Sequence, residues 1–356
     1  MPLKIVKSSA AYKTTQEFLG RYERFLMPST LLGGTIIDAV QFRTFSIETT
    51  FIISGVYAVL CGLAMIVMVT PMRDHGRLMK YAHLAAPYVQ QFTIGALLST
   101  ALLFYWFSGS LGASWPLLLL VALLMVSNEV FRGYFLLPTV QVGVYAFASL
   151  SLFATFFAYW LNSLSPWVFV LGGLASVLYV VGFLVLFVRI GRLEYYRRTM
   201  WFIVTGVFAI MNIAYFLNLI PPIPLSLREA GMYYSVARSN GDYVLVGEDE
   251  SILESLIPGQ TMHISQGDRL YAYSTIFAPA DLSATIIHTW EYKDETEGWT
   301  EIAELPFVVT GGRDEGFRGY SYLTNTREGT WRVTVKTARG QVLGRIPFRV
   351  EYNEGE

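Results

Sequence analysis

The chain divides into two halves that differ in the spacing of their apolar residues. Up to about residue 220, long apolar stretches alternate with short polar segments, and a transmembrane helix needs about 20 mainly apolar residues. This pattern predicts seven spans, of which the first is the least apolar because it contains Pro28 and Asp38. The predicted spans cover residues 25–42, 49–70, 83–107, 113–127, 136–161, 166–188 and 200–220.

We expect the PPIP segment at residues 221–224 to end the last helix. Beyond it, the spacing of apolar residues changes from a helical period to an alternation of apolar and polar residues. In the run TWRVTVKT, Trp331, Val333 and Val335 alternate with polar residues, which is typical of a half-buried antiparallel strand. Short runs of this kind, about ten residues apart and separated by turn residues, predict an antiparallel β-sandwich of immunoglobulin or fibronectin-III size. The runs cover residues 232–238, 243–247, 261–265, 269–277, 284–292, 300–305, 308–310, 317–323, 331–337 and 344–351.

These patterns predict a helical membrane domain followed by one β-domain. The first 24 residues are too polar for a signal peptide, and their apolar residues at helical spacing predict an interfacial amphipathic helix. The alternative for this segment is a basic tail that only enforces topology. The predicted units are an amphipathic segment at 1–24, a transmembrane domain at 25–220, a Pro-rich linker at 221–230, a β-sandwich at 231–352 and a tail at 353–356.

Composition and charge support the same division. Charged residues make up 15% of the chain, against about 25% in ordinary soluble proteins. Residues 1–224 hold 14 lysines and arginines against 7 acidic residues, whereas residues 225–356 hold 12 against 20. A wholly soluble enzyme is excluded, the acidic second half disfavours nucleic acid as a partner, and a single cysteine, Cys61, excludes a disulfide scaffold.

The basic residues outside the predicted spans lie almost entirely on one side of the membrane. With seven spans, the N-terminal tail and alternate loops carry 13 lysines and arginines, and the opposite loops carry only Arg43. Because cytoplasmic loops are enriched in these residues, we expect a cytoplasmic N-terminus. Seven crossings then place the β-domain on the outer side of the membrane.

Several polar residues near or within the spans are candidates for an intramembrane site. Glu129 and Arg132 lie three residues apart on one helix face, where they either brace a helical hairpin or carry chemistry. With Asn128 they resemble the first motif of intramembrane CAAX-type proteases, although Asn128 replaces a glutamate and the later histidine motifs are missing. Asp38 is either an interfacial residue or a functional carboxylate. Asn212 and Asn218 either line a polar groove or hydrogen-bond between helices.

Aromatic residues in the β-half suggest a binding face. Tyr271 and Tyr273 share one face of a predicted strand, as do Tyr320 and Tyr322. Beside an arginine, such pairs are suited to a sugar or a protein, and the alternative is an ordinary core with cross-strand pairs. The alternation also places His288 and Trp290 on one face, where a satisfied, partly buried histidine is the competing interpretation. The candidate binding face comprises Tyr271, Tyr273, His288, Trp290, Arg318, Tyr320 and Tyr322.

Motifs in both halves resemble a known bacterial family. His288-Thr-Trp290 and Gly329-Thr-Trp331-Arg-Val333 are similar to the domain of unknown function 2914, and so are the segments at residues 319–321 and 342–350. The multi-pass half resembles its members at residues 32–38, 128–134 and 221–227. The resemblance implies an inner-membrane protein with a periplasmic module, and it brings no catalytic residue.

The sequence contains no motif for a bound metal or cofactor, so none is expected. Two functional hypotheses remain. In the first, a non-enzymatic membrane protein presents a β-sandwich to a protein partner or an envelope component, as one subunit of a larger assembly or alone. In the second, a transporter or lipid-handling enzyme uses the intramembrane polar residues, and the β-domain is accessory.

Overall fold

The computed structural model describes most of the chain beyond the N-terminal segment. The predicted first span and amphipathic segment lie outside the described residues, apart from Gly33. The described residues are 33, 47–71, 77–108, 111–131, 136–223, 225–239, 242–248, 259–278, 282–311 and 316–353.

The described residues of the first half form six helices rather than the seven predicted. Five of them, α1, α2, α4, α5 and α6, are long and apolar enough to cross a membrane, which is consistent with a membrane protein. The apolar part of α3 is shorter, at residues 114–128. The helices are α1 (Ile47–Val69), α2 (Arg77–Ser108), α3 (Leu111–Val130), α4 (Pro138–Trp160), α5 (Pro166–Gly191) and α6 (Glu194–Phe216).

The last helix ends before the PPIP segment, which corrects the sequence-based boundary. Asn218 has a φ of 56°, and the Leu219 amide donates to the Ala214 carbonyl at 2.9 Å. This is the left-handed C-terminal cap that asparagine tolerates better than most residues. The prolines therefore follow a helix that Asn218 has already ended.

Close helix contacts in the first half use small residues and one buried tyrosine. A side chain at Gly172 of α5 would place its Cβ 2.9 Å from the Phe153 carbonyl oxygen of α4. The Tyr145 hydroxyl of α4 donates to the Ala58 carbonyl of α1 at 2.8 Å. Small residues and hydrogen bonds of this kind join helices where the surroundings are as apolar as the helices themselves.

The described residues of the second half form ten strands in three sheets. A three-stranded sheet has the order β1-β5-β8, a five-stranded sheet has the order β4-β10-β9-β6-β7, and β2 and β3 form a hairpin. The strands are β1 (Ser226–Tyr233), β2 (Ser235–Ser239), β3 (Asp242–Val246), β4 (Gln260–Ile264), β5 (Arg269–Phe277), β6 (Ser283–Asp294), β7 (Gly298–Thr310), β8 (Phe317–Thr324), β9 (Gly329–Thr337) and β10 (Val342–Tyr352).

Three details differ from the predicted antiparallel arrangement. The strand β4 pairs with β10 in parallel, so the five-stranded sheet is mixed. The strand β1 begins at Ser226, inside the predicted linker. The runs predicted at 300–305 and 308–310 form one strand, β7, which continues through Pro306. Proline has no amide hydrogen to donate, and it is tolerated here because β7 is an edge strand with no neighbour on its outer side among the described strands.

Side chains from the three-stranded and five-stranded sheets enter one buried cluster. Leu270 and Ala272 of β5 join Trp331 and Val333 of β9 and Phe348 of β10 in this core. The Trp331 ring is 2% exposed, and its Nε1 donates to the Arg327 carbonyl at 2.8 Å. The alternation seen in the sequence therefore predicts which side of β9 and of β10 faces this core.

Candidate functional site

The outward side of the three-stranded sheet carries a ladder of tyrosines. Along β5, Leu270, Ala272 and Ser274 are buried, so the alternation turns Tyr271 to the opposite side. The antiparallel register places Tyr271 opposite Tyr322 of β8. Cross-strand neighbours of this kind stabilise each other in pairs.

Ring contacts connect these residues into one surface, which we call the tyrosine face and define by Tyr243, Tyr271, Tyr320 and Tyr322. The centroid distances are 5.5 Å for Tyr271–Tyr322, 6.0 Å for Tyr271–Tyr320 and 6.2 Å for Tyr243–Tyr320. Tyr320 is 43% exposed and Tyr322 is 47% exposed. The Arg269 guanidinium lies 5.2 Å from the Tyr322 ring centre, which adds a cation to the face.

Three residues of the predicted binding face are buried. Tyr273 is 2% exposed. Its ring centroid lies 5.8 Å from that of Tyr243, in the β2–β3 hairpin, and 6.0 Å from that of Tyr233. Trp290 and His288 have no exposed surface. The exposed part is therefore narrower than the sequence predicts, because a hairpin covers one end of the ladder and β6 turns its histidine and tryptophan inward.

His288 bridges the two sheets through a buried polar network that the sequence does not reveal. Its Nδ1 is 2.8 Å from Ser321 Oγ of β8, and its Nε2 is 2.9 Å from Ser274 Oγ of β5. Trp290 Nε1 also donates to Ser321 Oγ at 3.0 Å. These contacts are all satisfied when Ser321 donates to Nδ1 and the protonated Nε2 donates to Ser274. Burial lowers the pKa of His288 to about 4.

Arg318 extends the tyrosine face along β8. It is half-buried and pairs in register with Thr275 of β5. The Thr275 hydroxyl donates to the Tyr273 hydroxyl at 3.2 Å. This end of the sheet therefore carries a half-buried charged side chain next to two hydroxyl groups that are themselves buried, whereas the other end exposes aromatic rings.

The candidate intramembrane residues do not assemble into one described site. Asp38 and Arg132 lie outside the described residues, and so does the side chain of Glu129. Asn128 is buried, and its Nδ2 has no hydrogen-bond partner among the described residues. Asn212 donates to the Phe208 carbonyl of its own helix at 2.8 Å.

Asn218 instead takes part in a contact between the end of α6 and the β9–β10 turn. Its Nδ2 donates to the Arg339 carbonyl at 3.1 Å, and Gln341 Nε2 donates to the Ile220 carbonyl at 3.2 Å. The Arg339 guanidinium lies 4.3 Å from the Tyr215 ring centre. This group of contacts, which we call the turn clamp, fixes the strand region to the residues that follow α6.

In the described part of the chain, no group of three or more histidine, cysteine or acidic side chains is arranged to hold a metal ion. The acidic Glu291 is instead held by neighbours on β9. It accepts from Arg332 Nη2 at 2.6 Å and from Thr334 at 2.5 Å. Burial opposes its ionisation, but these hydrogen bonds lower the pKa of Glu291 below its usual value.

Comparison with solved structures gives distant likenesses. An immunoglobulin-like protein from Pseudomonas aeruginosa is 10% identical, covers 35% of this chain and 98% of its own, and has a TM-score of 0.21. A β-glucosidase from Listeria innocua is 18% identical, with a TM-score of 0.20 over 25% of this chain, and this chain spans 15% of its length. An alkylpurine DNA glycosylase from Pseudomonas fluorescens is 9% identical and has a TM-score of 0.24; the match covers 83% of this chain and 97% of the glycosylase.

TM-scores this low carry no argument about fold or function. No curated protein matches the sequence of this chain. A family model does match in the strand region, and it starts where β6 starts. Residues 283–350 match the family described as protein of unknown function DUF2914, which confirms the predicted resemblance for this C-terminal region of the chain.

Proposed function

We propose that this chain is a non-enzymatic, multi-pass protein of a bacterial inner membrane that binds a protein partner or an envelope component through its tyrosine face. Its two larger β-sheets form an immunoglobulin-type sandwich in the periplasm. The observation that carries the proposal is the ladder of exposed tyrosines on one sheet, with Arg269 stacked at its end.

The chemistry of the tyrosine face suits binding. Tyrosine and arginine are enriched at protein interfaces because they combine large contact area with hydrogen-bonding groups. A tyrosine side chain also loses little conformational entropy on binding, and here cross-strand neighbours already hold the rings about 6 Å apart. The neighbouring aromatic rings equally suit the apolar faces of a sugar, so the proposal includes an envelope component.

The turn clamp orders the chain next to the strand region. Asn218 and Gln341 hydrogen-bond across the junction between α6 and the strand region. The periplasmic placement rests on the 13-to-1 distribution of basic residues. It also requires, besides the six described helices, a span at residues 25–42, which lie outside the described residues apart from Gly33.

In vivo photocrosslinking tests the proposal on the full-length protein. A photoreactive phenylalanine analogue replaces Tyr322 on the tyrosine face or, as a matched control, Val308 on β7, which is 56% exposed. We expect one adduct of defined mass at position 322 and none at position 308. Adding Tyr320→Ser should remove the adduct, since it removes the neighbouring ring while leaving the probe in place.

Digestion of the adduct by a protease or by glycan hydrolases distinguishes a protein from a polysaccharide. Equal labelling at both positions, or no adduct at position 322 in cells that accumulate the protein, would contradict the proposal. An adduct that persists unchanged with Tyr320→Ser would contradict the assignment of the tyrosine face.

A further inference from the structure

A groove between the end of α5 and the beginning of α6 combines exposed apolar and basic side chains. Its volume is about 740 Å³. Leu184 and Val185 of α5 line one wall, and Trp201 and Phe202 of α6 line another. The basic residues at its mouth are Arg189, Arg197 and Arg198, together with one carboxylate, Glu194.

The three arginines are not paired with a carboxylate in the part of the chain that the structure describes. None of them forms an ion pair with a carboxylate within the described ranges of the chain, and Arg189, Arg197 and Arg198 are exposed. The Arg198 guanidinium lies 5.6 Å from the Phe202 ring centre. With Glu194 included, the mouth of the groove carries an excess of two positive charges.

The position of two of these arginines is unfavourable in the absence of an anion. Arg197 and Arg198 are among the first five residues of α6, where the positive end of the helix dipole disfavours cations. A negatively charged group in the groove would offset both this interaction and the repulsion among the arginines. The arrangement of charge therefore points to an anionic ligand.

The apolar walls of the groove favour a lipid over a soluble anion as its ligand. Val185 is 53% exposed and Phe202 is 65% exposed, directly beside the arginines. Thr205, at the far end of the lining, is about 10 Å along the helix from Arg198. A soluble phosphate would leave this apolar surface uncovered, whereas an acyl chain would cover it.

We propose that the α5–α6 groove binds an anionic glycerophospholipid. The headgroup phosphate contacts Arg189, Arg197 and Arg198, and an acyl chain lies along Val185 and Phe202. Basic sites between membrane helices recognise acidic headgroups in this way. The site is separate from the tyrosine face, so it holds whether or not that face binds a partner.

Native mass spectrometry of the full-length protein in detergent tests the site. The protein is titrated with phosphatidylglycerol and with phosphatidylcholine of the same acyl chains. The variant Arg197→Gln/Arg198→Gln removes two charges from the groove, and Arg192→Gln/Lys80→Gln removes two charges from residues that do not line it. We expect wild type and control to prefer phosphatidylglycerol, and the groove variant to lose about 25-fold in affinity, about fivefold per arginine.

Each remaining outcome counts against the site. Equal affinity of the wild type for the two lipids would overturn it, as would equal losses in the groove variant and the control. Displacement of phosphatidylglycerol by an excess of inorganic phosphate would show that the occupant is a soluble anion. The two wild-type measurements can still overturn the proposal if the groove variant fails to accumulate.

Discussion

Acidification should destabilise the strand region through His288. The ring is fully buried, and burial lowers its pKa from 6.5 to about 4. Protonation would place a cation and a second N–H donor between Ser274 and Ser321. Because Ser321 already accepts from Trp290, it would have to accept twice, and its own hydroxyl hydrogen would lose its acceptor.

The direction and size of the effect follow from the two pKa values. Between pH 6.5 and pH 4 the unfolded chain binds the His288 proton and the folded chain does not, so unfolding takes up a proton in that range. The contribution of His288 to stability is therefore complete above pH 6.5, falls as the pH decreases and levels off below pH 4. At about 1.4 kcal/mol per pH unit, the total loss is about 3 kcal/mol.

Urea unfolding of the full-length protein in detergent, followed by tryptophan fluorescence, measures this loss. Trp290 and Trp331 are buried in the strand region and report its unfolding. The variant His288→Gln keeps a donor and an acceptor but does not titrate. The control His263→Gln removes an exposed histidine, whose side chain is 47% accessible.

We expect wild type and His263→Gln to lose stability in parallel as the pH falls from about 7 to about 4.5. The His288→Gln variant should start less stable and show a much weaker dependence on pH in this range. If all three proteins gave parallel profiles, the assignment of the acid sensitivity to His288 would be refuted.

Three further predictions concern packing, the turn clamp and topology. Trp331→Ala should destabilise the strand region by about 3–5 kcal/mol in urea unfolding, because it leaves a cavity in the core. Arg339→Ala should increase hydrogen exchange at the end of α6 and in the β9–β10 turn, since it removes the cation stacked on Tyr215; unchanged exchange would contradict a clamp. A reporter fused after Gly355 should be active only in the periplasm, and one fused after Arg77 only in the cytoplasm; cytoplasmic activity after Gly355 would remove one span from the prediction.

Local pattern determined much of the architecture. Apolar runs of sufficient length predict helices, and five described helices have the length and composition to cross a membrane. Alternation in β9 predicts that Trp331, Val333 and Val335 point the same way, and all three are buried. It also places Tyr320 and Tyr322 on one side of β8, because successive side chains of a strand point to opposite faces. These properties depend only on neighbours in the chain.

Tertiary structure decided which residues meet across long distances in sequence. Asn218 and Arg339 are 121 residues apart in sequence and share a hydrogen bond. No local sequence pattern predicts that contact. The parallel pairing of β4 with β10 depends on where β4 joins the sheet, since strand propensity is the same for either direction of pairing.

The same limit applies to the candidate site. The spacing of His288 and Trp290 shows that they share a face, but not whether that face is exposed. The structure buries both because Ser274 and Ser321, from the other sheet, supply hydrogen-bond partners. A buried polar group is tolerated only where such partners are present, and those partners are 14 and 33 residues from His288 in sequence. Sequence therefore determined which tyrosines lie side by side, and packing determined which of them remain exposed to a partner.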